Sequence, residues 1–404
     1  MAHLLAVSDY WWGWAGLLFR WLHVIAAIAW IGSSFYFIAL DHHLAPPVEE
    51  RDAERGVGGE AWEIHGGGFY RVEKFRVAPE TLPEPLYWFK WEAYTTWLSG
   101  FALLVVVYFV HPRSFLIDPS VTDLETWEAI AIAVGGLVVA WVVYDELCRL
   151  LGTNEWALAL AVFAFVCLSA WAAGELLAPR AAYIEVGAML GTIMVANVFF
   201  VIIPAHRELV RAKEEGREPD PRWNARGKQR SVHNNYLTLP VVFAMLSVHF
   251  PFTYGHSRAW LVLVALMALG AWTRHYFNLR HLGREAWWIP VSAAAGVVLL
   301  AILIRPESLP SSTGGHSSGP APSFTLVRRI VQQRCVPCHA TSPTQPGFTG
   351  APGGGIVLET RSQIESYATL IKAVVVDVRT MPLGNLTKMT DEERATIASW
   401  VASR

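Results

Sequence analysis

The chain has 404 residues, of which 53% are hydrophobic and 16% are charged, and it contains 19 tryptophans. This composition is too apolar for two soluble domains, and the apolar residues lie in long runs, so a polytopic membrane protein is predicted. The formal net charge of −2 indicates no particular partner, and no nucleic-acid partner is expected. The first ten residues contain no Lys or Arg, and the first apolar run is too long for the core of a signal peptide, so no cleavable signal is predicted.

Eight apolar segments have about the length that a membrane-spanning helix needs, which is roughly 20 residues. They cover residues 16–40, 94–111, 127–148, 156–173, 183–204, 236–251, 258–278 and 286–304. The loops on one side of such a bundle contain 17 Lys and Arg, whereas those on the other side, with Arg258, contain three. Because cytoplasmic loops carry the excess of basic residues, the first set is predicted to be cytoplasmic and both ends of the chain periplasmic, in a bacterial inner membrane.

A C-x-x-C-H sequence near the end of the chain is typical of the attachment site of a c-type haem. The thiols of Cys335 and Cys338 would add to the haem vinyl groups, and His339 would bind the iron. A zinc site would need a second pair of ligands, and the 65 residues after His339 contain no Cys or His. A redox dithiol would be expected near a βαβ pattern, which is absent from the sequence. One covalently bound haem c is therefore predicted.

Two methionines downstream of the motif are candidates for the second axial ligand of this iron, because a thioether suits an electron carrier. Met381 is favoured, since Pro382 cannot continue the preceding helix and leaves the methionine on an extended loop. Met389 instead precedes a helix start, where a methionine more often packs against the helix.

The predicted organisation is all-α, with an eight-helix transmembrane bundle and a small C-terminal cytochrome. The membrane domain covers residues 1–304, a Pro/Gly/Ser linker covers 305–323, and the all-α c-type cytochrome domain covers 324–404. Helices are predicted at 324–334, 361–379 and 391–402. Covalent haem attachment normally takes place outside the cytoplasm, in agreement with the periplasmic C-terminus that the charge pattern predicts.

Histidines near the periplasmic ends of the spans suggest a second cofactor. His23 lies in the first span and His249 at the end of the sixth. A histidine inside a membrane is costly unless it faces protein, water or a metal. Imidazoles on facing helices would hold a b-type haem, so this pair is a candidate haem b site. Simple hydrogen bonding within the bundle is the alternative.

A denser polar group lies toward the cytoplasmic ends of the spans. It comprises Asp41, His42, His65, Glu92, Asn197, His206, Arg230, His233, Asn234, Asn235, Tyr236, Arg274, His275 and Asn278. Arginine offers a fork for an oxyanion, and asparagine both donates and accepts hydrogen bonds. The group therefore predicts a recognition site for a planar, anionic, amide-rich molecule. Interfacial basic residues and helix caps are the alternative interpretation. The loop 41–93 mixes aromatic, basic and glycine residues, which predicts an ordered lid or binding element.

Several sequence motifs show which family the chain resembles. They are WLH and WIG within 21–32, HGGGFY at 65–70, WFKWE at 88–92, ANVFF at 196–200 and HNNYLTLP at 233–240. On these strings the chain resembles the integral-membrane urate oxidases that carry a fused C-terminal cytochrome c. The resemblance implies that urate is oxidised to 5-hydroxyisourate and that electrons leave through the cytochrome to the respiratory chain. A downstream cytochrome c or terminal oxidase would receive them, and no peroxide would be released.

The chemistry of urate suggests roles for individual residues. A histidine with a pKa near 6.5 suits a general base, and His233 or His65 is predicted to act as one. Arg230 or Arg274 would hold the urate anion. The remaining predicted site residues are Asn234, Asn235, Tyr236 and Glu92. A quinol-oxidising electron-transfer subunit is the main alternative, and it would have an apolar, lipid-facing pocket.

Overall fold

The computed structural model describes residues 2–305, 322–348, 350–377 and 379–404. Within these ranges the chain is mostly helical, with an antiparallel hairpin between the first two long helices. Most of the predicted linker, 306–321, lies outside the described residues.

Eight long helices lie in the part of the chain predicted to be in the membrane, and each overlaps one predicted segment. They are α1 (Ala2–His43), α2 (Trp91–Phe109), α3 (Thr126–Leu151), α4 (Glu155–Leu176), α5 (Pro179–Glu214), α6 (Pro221–Leu246), α7 (Ala259–His281) and α8 (Trp288–Leu303). Among the described residues, six helices are long and apolar enough to cross a membrane. The first half of α6 is rich in polar residues, and α8 has only 16 residues. Eight spans therefore remain a prediction.

The bundle exposes apolar side chains and buries polar ones. Trp21 and Ile28 on α1 are 64% and 66% exposed, whereas Asn197 and Asn235 are fully buried. A water-soluble bundle would show the opposite arrangement, since exposed apolar surface is costly in water. The surface is consistent with a membrane protein, and the buried polar groups are candidates for function.

Helix α5 departs from regular α-helical winding directly after the buried residue Asn197. Its α-helical part ends at Asn197, a π-helical turn covers Val198–Ile202, and Ile203–Glu214 continues as α-helix. Pro204 has no N–H to donate to the preceding turn, which explains why the regular hydrogen-bond pattern is interrupted just before it. Wide turns of this kind are frequent at functional sites.

The all-α prediction is wrong for the loop between α1 and α2. Strands β1 (Val57–His65) and β2 (Gly68–Phe75) pair antiparallel, with His65 opposite Gly68. Gly66 and Gly67 make the turn with φ of +58° and +83°, a conformation that glycine adopts without strain. The prediction that this loop is ordered is confirmed for the hairpin.

The hairpin is fastened to the end of α1 by polar contacts. Tyr36 donates a hydrogen bond to Glu63 at 2.8 Å, and Lys74 forms an ion pair with Asp41 at 2.6 Å. Alternating side chains on β1 and β2 place these partners on one face, as expected for a strand. The opposite face carries Trp62, which is 64% exposed.

The C-terminal unit (residues 322–404) has a hydrophobic core of its own. Its helices are α9 (Phe324–Arg334), α10 (Arg361–Ser366), α11 (Ala368–Lys372) and α12 (Asp391–Ala402). The single helix predicted at 361–379 is wrong. Tyr367 leaves the helical conformation between α10 and α11, and a π-helical turn, Ala373–Asp377, follows α11.

Candidate active site

A buried network links α3, α5 and α6. Arg230 donates to Asp145 at 2.7 Å and to Asn197 at 3.3 Å. Asn197 in turn donates to the side-chain oxygen of Asn234 at 2.9 Å. Arg230 is therefore engaged by a carboxylate, and a buried arginine needs such a partner to offset the loss of its hydration.

The same network includes an aromatic–histidine pair. Tyr144 and His233 are joined through the tyrosine hydroxyl and Nδ1 at 2.7 Å. Asn197 donates to the Tyr144 hydroxyl at 3.1 Å, and the guanidinium of Arg230 lies 4.9 Å from the centre of the Tyr144 ring. Each predicted site residue here already has a protein partner, so this network is part of the packed core of the bundle.

A second buried group, on α6 and α7, has unused hydrogen-bonding capacity. Arg274 donates from Nε to Asn235 at 3.0 Å. Within the described residues, three buried atoms of this group have no hydrogen-bond partner: Nη2 of Arg274, Nδ2 of Asn235 and Oδ1 of Asn278. Arg274 and Asn278 are four residues apart on α7 and therefore share a helix face. Buried polar groups are usually paired with protein, water or a ligand, so these two donors and one acceptor give the group the capacity to bind a polar ligand.

Aromatic and imidazole groups surround these unpaired atoms. The ring of Phe35 on α1 lies 3.7 Å from the Arg274 guanidinium carbon. His42 lies within electrostatic range of Arg274, and its Nδ1 is buried with no partner among the described residues. Tyr236 and His275 are hydrogen-bonded to each other at 2.7 Å. We call Phe35, His42, Asn235, Arg274 and Asn278 the anion pocket, a name for this set of side chains and not for a cavity.

The anion pocket has the chemistry that a planar anion with amide-like edges requires. Nη2 of Arg274 and Nδ2 of Asn235 can donate to ligand oxygens, and Oδ1 of Asn278 can accept from a ligand N–H. The structure therefore favours Arg274 over Arg230 as the residue that holds an anion, because Arg230 already has its carboxylate. His42 and Asn278 belong to the polar group that the sequence predicted as a recognition site, although neither was given an individual role, and Phe35 was not predicted. The four-residue spacing to Arg274 was the sequence signal for Asn278.

The residues of the C-x-x-C-H motif lie at the end of α9, beside the core of the C-terminal unit. Cys335 and Cys338 form no disulfide, and His339 uses Nδ1 to donate to the carbonyl of Ile356 at 3.0 Å. This bond leaves Nε2 of His339 available to a metal, as is usual for ligating histidines. Burial raises the pKa of Cys335 to about 12 and that of Cys338 to about 11, whereas redox dithiols have a lowered pKa. These residues fit a covalently attached haem.

The two candidate methionine ligands have different surroundings. Met389 is 4% exposed and belongs to the core of the C-terminal unit, and its N–H bonds to Asn385 at 2.9 Å. Met381 is half-buried and packs against that core, and Arg394 donates to its carbonyl oxygen at 2.7 Å. Met381 as the iron ligand remains a prediction. Among the described residues, no group of three or more His, Cys, Asp or Glu is arranged to hold a metal ion.

The sequence model of the urate oxidase N-terminal family matches residues 9–305. The chain belongs to this urate oxidase family. The match includes all eight long helices and the hairpin, and it ends before the C-x-x-C-H motif. No curated protein and no solved structure matches the chain.

Two predicted site residues of this urate oxidase domain, His65 and Glu92, belong neither to the buried network nor to the anion pocket. His65 is exposed at the tip of the hairpin. Glu92, in the first turn of α2, accepts a hydrogen bond from Tyr87 at 3.1 Å, and its other carboxylate oxygen is buried without a described partner. A catalytic role for either residue remains a prediction.

The two histidines of the candidate haem b site also differ from each other in their surroundings. His23 contacts α2, with its Nδ1 at 2.9 Å from the carbonyl of Thr96 and 3.2 Å from the hydroxyl of Ser99. A side chain at Gly100 would come within 2.8 Å of the His23 ring, so this glycine makes room for it. His249 is exposed beyond the end of α6. The contacts of His23 agree with the alternative, a histidine hydrogen-bonded in the bundle, and haem b stays a prediction.

Proposed function

We propose that this chain is a membrane-bound urate oxidase that converts urate to 5-hydroxyisourate and delivers the electrons to a haem c in its own C-terminal unit. The observation that supports the substrate is the anion pocket. In a member of the urate oxidase family, a buried arginine and two asparagines present unpaired donors and an unpaired acceptor to one ligand. Urate is a planar monoanion with carbonyl oxygens and N–H groups at its edges, and it can pair with all three.

The reaction balances without peroxide. One urate monoanion and one water yield 5-hydroxyisourate, one proton and two electrons. Arg274 would hold the anion, while Asn235 and Asn278 would fix the orientation of the ring. His42 would take up the proton released as water adds, because its Nδ1 is buried in the same region and unpaired within the described residues. This assigns to His42 the role that the sequence suggested for His233 or His65.

The C-terminal unit would hold the haem through thioether bonds from Cys335 and Cys338, with His339 and Met381 as axial ligands. When bound there, a haem supplies a one-electron acceptor. Because urate loses two electrons, a downstream cytochrome c or terminal oxidase would have to receive electrons one at a time. The proposed location is a bacterial inner membrane, with the hairpin in the cytoplasm and the C-terminal unit in the periplasm.

A quinol-oxidising subunit is the second candidate, and one observation bears on it. An apolar, lipid-facing groove lies between α7 and α8, lined by aliphatic side chains and by Trp272. A quinol headgroup needs a polar partner, and the indole N–H of Trp272 already donates to Ser292 at 2.9 Å. The groove therefore suits a lipid chain better than a quinol headgroup.

A turnover assay separates the two functions. Membranes containing the protein would be given urate and an excess of oxidised soluble cytochrome c, and then a quinol in place of urate. We expect 5-hydroxyisourate to form with two cytochromes reduced per urate and no hydrogen peroxide. Reduction of the cytochrome by quinol but not by urate would support the second candidate. Peroxide formed in equal amount to the product would contradict the proposed electron route.

A further inference from the structure

The C-terminal unit is seated on one end of the helical bundle. The short helix Pro112–Phe115, which follows α2, meets the loop that follows His339. Ser114 donates to the carbonyl of Pro346 at 3.1 Å, and the rings of Phe115 and Phe348 have their centres 5.7 Å apart. We call these residues, with the loops that adjoin them, the docking face.

Gly347 shows that the contact is a close one. Its φ of +90° is a conformation that residues with a side chain rarely adopt. A Cβ at this position would lie 3.1 Å from the ring of Phe115 and 3.2 Å from the ring of His111. The backbone of the C-terminal unit therefore lies close against the bundle, and a Cβ there would require these rings to shift by a few tenths of an ångström as well as straining the backbone.

A second segment of the C-terminal unit faces the same end of the bundle across a cavity of about 460 Å³. The bundle contributes Arg180 and Tyr254 to its lining, and the C-terminal unit contributes Arg379, Asn385 and Met389. These last residues belong to the loop that carries Met381. The docked side of the unit thus bears the two loops that flank its predicted iron ligands, one after His339 and one around Met381.

We propose that the docking face is where electrons enter the C-terminal unit, and that the unit is reduced while docked rather than after it leaves the bundle. This inference rests on the proposed function. The anion pocket lies near the C-terminal ends of α1 and α7, whereas the docking face lies beyond the end of α2, so each electron from urate must pass along the bundle before it crosses the docking face singly. An external one-electron acceptor reoxidises the unit between the two transfers.

Tethering tests whether the docked arrangement is competent. Phe115→Cys and Phe348→Cys would be combined and bridged by a short thiol-reactive reagent, with each single variant as control. We expect efficient bridging, and we expect the bridge to restore the rate of haem reduction by urate that the unbridged double variant has lost. Failure to bridge would contradict the docked arrangement. Slower urate-dependent reduction in the bridged protein than in the unbridged double variant would show that the unit must move.

A second test of the same inference weakens the contact between the bundle and the C-terminal unit. Phe115→Ala removes the ring from the bundle without changing the C-terminal unit, and Arg113→Ala, on the same short helix but exposed, is its control. Gly347→Ala adds the clashing Cβ, and Gly350→Ala, with no atom within 4 Å of the added Cβ, is its control. We expect Phe115→Ala and Gly347→Ala to slow haem reduction by urate on the order of tenfold or more, because misplacement by about 1 Å is costly.

The haem spectrum and urate affinity of these variants should match the wild type, which separates a docking defect from misfolding. Equal rates in Phe115→Ala and Arg113→Ala would overturn the inference. If urate does not reduce the wild-type haem at all, the proposed function fails instead, and the bridging yield still reports whether the unit is docked.

Discussion

At the scale of single residues, two buried arginines of similar appearance have different partners. Arg230 is neutralised by Asp145, whereas Arg274 meets an amide and keeps Nη2 unpaired within the described residues. The sequence predicted both arginines as candidates, because residue type was the only information available and any arginine can bind an anion. It did not predict the choice between them, because Arg230 and Asp145 lie on different helices, 85 positions apart.

Replacing Arg274 tests the anion pocket. We expect Arg274→Gln to weaken urate binding by about 10- to 100-fold, since a hydrogen bond to a charged group contributes roughly 1.5–3 kcal/mol. Arg280→Gln, exposed in the last turn of the same helix, is the matched control and should bind urate normally. Binding would be measured by equilibrium dialysis of the purified protein. Equal affinity in the two variants would exclude Arg274 as the anion ligand.

The two methionines of the C-terminal unit give a second test at this scale. Met381→Ala should lower the haem reduction potential and open the iron to added ligands, because a thioether ligand raises the potential. Met389→Ala should instead destabilise the unit by roughly 2–5 kcal/mol, the cost of truncating a buried methionine. Redox titration and thermal unfolding distinguish these outcomes. A ligand-binding phenotype in Met389→Ala alone would reverse the assignment.

At the scale of elements, hydrophobic runs predicted the positions of the long helices well, because a membrane-spanning helix needs little more than length and apolar character. The hairpin was missed because its strands alternate over only eight or nine residues inside a polar loop. The division between α10 and α11 was also missed. It depends on the backbone conformation of Tyr367, which no sequence period reveals.

The hairpin should be sensitive to acid. Asp52 is fully buried, and hydrogen bonding from Arg71 lowers the pKa of its carboxyl below the usual value near 4. A group with a lowered folded-state pKa stabilises the fold above its unfolded pKa and loses that contribution as the pH falls through the folded value. The protection of the β1 and β2 amides against hydrogen exchange, relative to the intrinsic rate at each pH, should therefore fall below about pH 4.

The Asp52→Asn variant provides the control for this acid effect. It lacks the titrating carboxyl, so its hairpin amides should be less protected from exchange at neutral pH, and their protection should depend less on pH. The ion pair of Asp41 with Lys74 remains in that variant. An identical pH profile in the variant and the wild type would assign the acid sensitivity to other carboxylates.

At the scale of the whole molecule, a urate oxidase domain is followed by a C-terminal unit that carries the C-x-x-C-H motif. The domain is supported by the family match and by six helices that can cross a membrane. Sequence alone predicted this organisation, because long runs and a five-residue motif are local signals. It did not predict how the unit sits on the bundle, since that depends on the shapes of loops far apart in the chain.

Anaerobic titration of the oxidised full-length protein with urate tests the central claim most directly. The absorption band of reduced haem c would be recorded after each addition, with no oxygen and no other acceptor present. We predict that the band develops with urate and saturates at one urate per two protein molecules, because urate gives two electrons and each chain holds one haem c. No reduction by urate, in a protein whose haem a chemical reductant reduces fully, would contradict the account.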